Sequence, residues 1–304
     1  MLNQKGFTLL EMLTAMAVTT IVGAAGYTFF NRSFDFTMVH SKKNEMQREI
    51  RIAADMIVRD IRGAGFGVIN PLDKENNFDA AAGFTMLTSN NNFDPDPDGV
   101  ANQLDRIAIS GAFQLVGRLS AAAAQGANTL VVTPLAGTNP TAPSINGQIV
   151  TINGFFTAAV TNVAGPNAAG DYTLTLATTL DRTYTTLNDV SVVQNIVYNV
   201  VPAGPGLDLV RTVGAGASSV IASGIEDFQI AYLLNDGTVA NTLVGAVASV
   251  RAVRVSILAR NANPDGAATI STRPVLEDHA AGAAADNFHR RMITRVVEIR
   301  NSAT

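Results

Sequence analysis

A chain of 304 residues with a net charge of −4 fits one large domain or two modest ones, and it presents no global basic field for nucleic acid. Cysteine is absent, so an exported fold would have to be held by its core and strand ladders alone. The three histidines, His40, His279 and His289, leave little material for a His-based zinc site or a serine-hydrolase triad.

Residues 1–6 form a short polar leader with one side-chain cation, Lys5, ending at Gly6. An apolar run then extends from Phe7 to Phe30, interrupted by a single carboxylate, Glu11. About 24 helical residues span roughly 36 Å, enough to cross a bilayer core of about 30 Å. An acid inside such a span costs a few kcal/mol and calls for a partner. Two plainer readings compete: a secretory signal cut near Gly23-Ala24-Ala25, or a signal anchor with an incidental Glu11. Lys5 precedes the span, but Arg32, Lys42 and Lys43 follow it, so positive charge alone does not orient it.

The helical pattern continues past the span. Met46, Ile50, Ala53, Ile57 and Ile61 recur at spacings of four and three as one apolar stripe, with Lys42, Lys43, Arg48, Arg51 and Arg59 mostly off it. Asp55 and Arg59 are placed for an i,i+4 pair. The run from Gly63 to Gly67 breaks the helix. One helix is therefore predicted from Phe7 to about Arg62, apolar all round over residues 7–30 and amphipathic over 31–62. Gly23 and Gly26 are either a weak point or, with Ala15 and Thr19, a small-residue packing row; packing is the favoured reading. Lys42 and Lys43 are placed to meet lipid headgroups or solvent beyond the membrane.

Asp94, Asp96 and Asp98 stand at alternate positions before Gly99, with Asn102 and Asp105 further on. This follows the calcium-loop pattern of oxygens at positions 1, 3 and 5, glycine at 6 and a closing acid at 12. Asp105 is shorter than the usual closing Glu, and Pro95 and Pro97 remove backbone donors. The competing reading is a solvated Asp/Pro/Gly turn.

Downstream the period changes to two. Strands are predicted at 106–110, 129–133, 148–152, 172–176, 190–200, 207–212, 228–233, 253–259 and 292–299. Phe228, Ile230 and Tyr232 alternate with Gln229 and Ala231, and Val253, Val255 and Ile257 with Arg254 and Ser256, as half-buried strands do. Asn235-Asp236-Gly237 signals a turn. Residues of about 119–186 read as a strand meander inserted into the main sheet, since long insertions cost little closure entropy. His289, Arg290 and Arg291 read as a solvated strand start rather than an anion site. Asp60 beside Arg62 reads as structural. No Walker A, GxSxG, HExxH or CxxC pattern occurs, and no catalytic set is predicted.

The segment Lys5-Gly6-Phe7-Thr8-Leu9-Leu10-Glu11 resembles the processing and assembly signal of type IV prepilins. The resemblance implies that a prepilin peptidase cuts after Gly6, that Phe7 becomes the methylated N-terminus, and that Glu11 docks the subunit into a growing fibre. Within that class the chain is most similar to PilW-type minor pilins, on residues 59–66, 224–232, 253–260 and 290–301. The lack of cysteine departs from relatives with disulfides.

The expected fold is α+β: a long N-terminal α-helix packed on a largely antiparallel β-sheet domain over residues 63–304. The resemblance implies a structural, non-enzymatic minor pilin that initiates a type IV pilus or sits at its tip. It also implies single-pass inner-membrane insertion with a periplasmic C-terminal domain before assembly, and the cell surface after it. The implied partners are the peptidase, other minor and major pilins, the inner-membrane assembly platform and a tip adhesin. A minor pseudopilin of a type II secretion system is the alternative, and a membrane-anchored periplasmic enzyme or binding domain a third reading.

Overall fold

The computed structural model describes residues 8–67, 86–93, 104–141, 145–204, 206–243, 250–261, 264, 272–282 and 285–299, except the side chains of 35 and 39. One helix, α1, runs over Leu9–Arg62 without interruption through Gly23 and Gly26. Its apolar first half is long enough to cross a membrane, and none of that window is buried within the chain. The second half lies on the domain. Met46, Ile50, Ala53, Ile57 and Ile61 are all buried, as a stripe of period 3.6 requires. Gly63 closes the helix, its N–H reaching the Arg59, Asp60 and Ile61 carbonyls.

Thirteen strands follow among the described residues. They are β1 (Leu87–Phe93), β2 (Leu104–Leu119), β3 (Thr129–Pro134), β4 (Ile149–Ile152), β5 (Phe156–Ala164), β6 (Tyr172–Leu176) and β7 (Asp189–Ala203). Then come β8 (Gly206–Val213), β9 (Ser219–Ser223), β10 (Ile225–Leu234), β11 (Val239–Ala240), β12 (Val250–Arg260) and β13 (Arg290–Glu298). All pairings are antiparallel. One sheet runs β1-β2-β3-β6-β5-β4-β7-β8-β9 and a second runs β11-β10-β12-β13. Strands β1, β5, β9 and β11 have no counterpart among the predicted runs. In β1 the sequence Leu-Thr-Ser-Asn-Asn-Asn-Phe is too polar to carry an apolar alternation, and β2 recruits it.

The two sheets face each other through β2, β8 and β10, and α1 packs against β9, β12 and β13. Ile57 and Ile61 meet Ile107, Tyr198, Leu209, Phe228, Val253 and Val297 in one core. The first sheet also closes on itself. β2 pairs with both β3 and β7, and β3-β6-β5-β4 return to β7, so six strands form a ring. A second core fills it, with Leu130, Val132, Val150, Ile152, Leu174, Val190 and Val192 pointing inward. The insertion expected at about 119–186 thus supplies four strands of a small barrel, while β2 and β7 belong to both cores. Gly117 sits where β2 is shared, opposite Pro134 on one side and Val190 on the other. A Cβ there would lie 2.1 Å from the Thr133 carbonyl oxygen, so only glycine lets the strands approach.

Two expectations about burial are corrected. β10 and β12 were expected to bury one face, but Gln229, Ala231 and Ser256 are buried as well as Phe228, Ile230 and Tyr232. A C-terminal strap, residues 272–282, covers that second face. The Asp55–Arg59 pair gives way to other partners: Asp55 faces Arg295 on β13 at 3.7 Å, and Arg59 faces the adjacent Asp60 at 3.4 Å.

Candidate functional site: the helix start and its anchorage

Gly6 and Phe7 lie outside the described residues, of which Thr8 is the first. Thr8 caps α1 in a reciprocal box. Its hydroxyl accepts from the Glu11 N–H at 3.3 Å, and Glu11 Oε2 accepts from the Thr8 N–H and hydroxyl at 2.9 Å each. The β-region backbone of Thr8 and an acid three residues on are what this cap requires. The Glu11 carboxylate is thereby hydrogen-bonded at the positive end of its own helix, which lowers the cost of holding it in an apolar segment. Around it Leu9, Leu10, Met12, Leu13 and Met16 are exposed, an uncovered helical surface that needs lipid or neighbouring helices.

The domain grips the other end of α1 through polar anchors. Asp60 is buried, and its Oδ2 accepts from the Tyr198 hydroxyl at 2.6 Å and from Arg211 Nε at 2.8 Å. Burial, and the Asp60 carboxylate after it, push the Tyr198 hydroxyl well above the usual tyrosine range, so it stays a donor. Glu49 accepts from the Ser223 N–H at 3.2 Å, tying α1 to β9.

The strap is pinned in the same way. Arg254 makes two bonds to Glu277, at 2.8 and 2.5 Å. Buried Asp227 accepts from Arg273 at 2.5 Å and lies 3.0 Å from His279 Nδ1, while Gln229 donates to its other oxygen at 2.9 Å. Arg290 is held between Glu226 and Asp286 by paired bonds of 2.5–2.9 Å, with its side chain only 8% exposed. It is a buried structural cation, not the solvated strand start expected from His289-Arg290-Arg291. Asp286 stands four residues before Arg290, a local pairing the sequence displays, but Glu226 is 64 residues away and only the fold brings it near.

Asp94, Asp96, Asp98 and Asn102 lie outside the described residues. Asp105 is described, and it is 2% exposed. Its Oδ2 accepts from the Ile230 N–H at 2.6 Å and its Oδ1 from the Asn92 N–H at 3.2 Å. Burial outweighs these bonds and pushes its pKa up to about 7. Among the described residues no three His, Asp or Glu side chains converge as a metal site.

The structure thus joins a membrane-length helix with a capped acid in its first turn to an antiparallel sheet domain that seats the helix's second half. A family model for the prokaryotic N-terminal methylation motif matches residues 1–27, and one for the type IV pilus-assembly protein W matches residues 205–301. The two matches place a prepilin-type methylation motif at the start of the chain and a PilW-type segment in its C-terminal third. That segment spans β8–β13 and the strap, including Arg211, Asp227 and Arg290. Among solved structures, a type IV-like pilin from Thermus thermophilus aligns at a TM-score of 0.39 and 14% identity, over 86% of this chain and 100% of that one. No curated protein matches the chain.

Proposed function

We propose that this chain is a minor pilin that helps initiate a type IV pilus or sits at its tip. The observation that carries this reading is the shape of the head: a two-sheet core plus a barrel, all borne on one helix. In a fibre built from parallel helices, neighbouring heads compete for space, and a broad head is best accommodated at the end. The PilW-type segment supports the same reading. In it, the peptidase cuts after Gly6, Phe7 is methylated, and Glu11 leaves its bond to Thr8 to meet a neighbour's N-terminus. Low dielectric strengthens that pair while desolvation offsets part of the gain. The C-terminal domain is periplasmic before assembly and at the surface after it. The partners are other pilins, the assembly platform and a tip adhesin.

Gly6→Val and Glu11→Ala test this in cells carrying an epitope-tagged full-length chain. Gly6→Val should leave uncut precursor in the membrane. Glu11→Ala should be cut normally yet lost from sheared pili, with immunogold on wild-type pili confined to fibre ends. A wild-type mature chain that begins at Met1 or near Gly26, or a Glu11→Ala variant incorporated as wild type, would overturn the reading. Wild-type chain found only with secretion-system pseudopilins would assign it to the type II alternative.

A further inference from the structure

β13 is the terminal strand of its sheet, pairing among the described residues with β12 alone. The Ile299 N–H bonds to the Arg251 carbonyl, and the Asn261 N–H to the His289 carbonyl, so the odd positions face β12. By strand alternation the N–H and C=O groups of Met292, Thr294 and Val296 point away from the sheet. Arg295 NH1 reaches the Thr294 carbonyl at 3.4 Å, in keeping with an outward edge. Met292 and Val296 are 52% and 54% exposed.

A groove accompanies this edge at both ends. Near its start, Lys43 of α1 and Arg291 line a space of about 520 Å³. Near its end, Arg59, Arg62 and Arg295 line a space of about 670 Å³ with Phe66 and a single carboxylate, Asp55. Phe66 is 61% exposed and offers an apolar face beside the guanidinium groups. From Lys43 to Arg62 the helix advances roughly 28 Å, and β13 spans roughly 30 Å, so the two run side by side. The result is a linear basic seam on a chain whose net charge is −4.

We propose that the seam between α1 and β13 is a docking groove for an extended acidic segment of a partner polypeptide, which adds a strand to the free edge of β13. Main-chain bonds to Met292, Thr294 and Val296 supply affinity, and carboxylates on the arginines and Lys43 select the sequence. A compact anion would engage one end only, whereas an extended chain satisfies both ends and the edge between them. The inference does not depend on where in a fibre the subunit sits.

The test uses the full-length chain in detergent micelles and fluorescence anisotropy. The probe is a labelled strand-length peptide alternating Val and Glu. Its comparators are a Val/Lys peptide and two Val/Glu peptides N-methylated on alternate residues, one in each phase. The Val/Glu peptide should bind, weaken with added salt, and lose affinity in one methylated phase. The Arg59→Ala/Arg62→Ala double variant should bind it at least tenfold more weakly. Both side chains are exposed, so the fold should survive the change. Three results would overturn the proposal. Equal binding of the Lys peptide removes the charge selection. Unimpaired binding of both methylated peptides leaves a trough for any polyanion, nucleic acid included. No binding at micromolar peptide means the charges guard the edge against pairing.

Discussion

Asp105 shows how burial turns a turn-forming residue into a structural one. Its carboxyl satisfies the Ile230 and Asn92 N–H groups, joining β10 to β1 at a cost in ionisation that lifts its pKa from 3.8 to about 7. Between those values the folded chain binds a proton that the unfolded chain has released. This group therefore stabilises the fold most at low pH, and its contribution falls as pH rises through about 7. Comparing wild type with a variant at this one position isolates its contribution from that of every other titratable group. Wild type minus Asp105→Asn should lose melting temperature from pH 5 to pH 8, on top of a constant offset of about 1–3 kcal/mol for the altered bonds. A pH-independent difference would show that Asp105 does not titrate there. The calcium proposal is checked in the same series: a higher melting temperature in millimolar calcium than in chelator, abolished by Asp96→Ala.

Among the elements, α1 depends on its surroundings in two different ways. Its second half is fixed by a stripe that meets both sheets, and Ile57 lies at the centre of that contact. Ile57→Ala should cost about 2–5 kcal/mol, whereas Ile52→Ala, at a position 48% exposed, should cost far less. Denaturant unfolding of the two variants in one detergent compares them directly. Equal losses would mean that the helix is not seated by this stripe. The apolar stripe from Met46 to Ile61 was legible in the sequence because helical packing repeats every few residues. The pairs Asp55–Arg295, Asp60–Arg211 and Glu226–Arg290 were not, because each joins two elements brought near only by folding.

At the scale of the whole molecule, the barrel is an insertion that leaves the chain where it entered. Arg118 and Asp189 are opposite one another on β2 and β7, so a hairpin turn can replace residues 121–187. The excised chain should keep the core around Ile57, Tyr198 and Phe228 and melt cooperatively, because the barrel side chains form their own cluster. Val116, Val190 and Val192 would be uncovered, so a lower melting temperature is expected. Loss of cooperative unfolding would show that the two cores are one unit.

The sequence by itself determined the helix, its division into an exposed and a seated half, and most of the central strands. These follow from spacing and from contacts within a few residues, which any single chain displays. Tertiary structure alone decided that β2 is shared between two cores, that Gly117 must be glycine, and that the second face of β10 is buried under the strap. It also decided that β13 ends its sheet among the described residues. Those outcomes depend on which distant segments meet, and hydrophobic period carries no information about the identity of the partner.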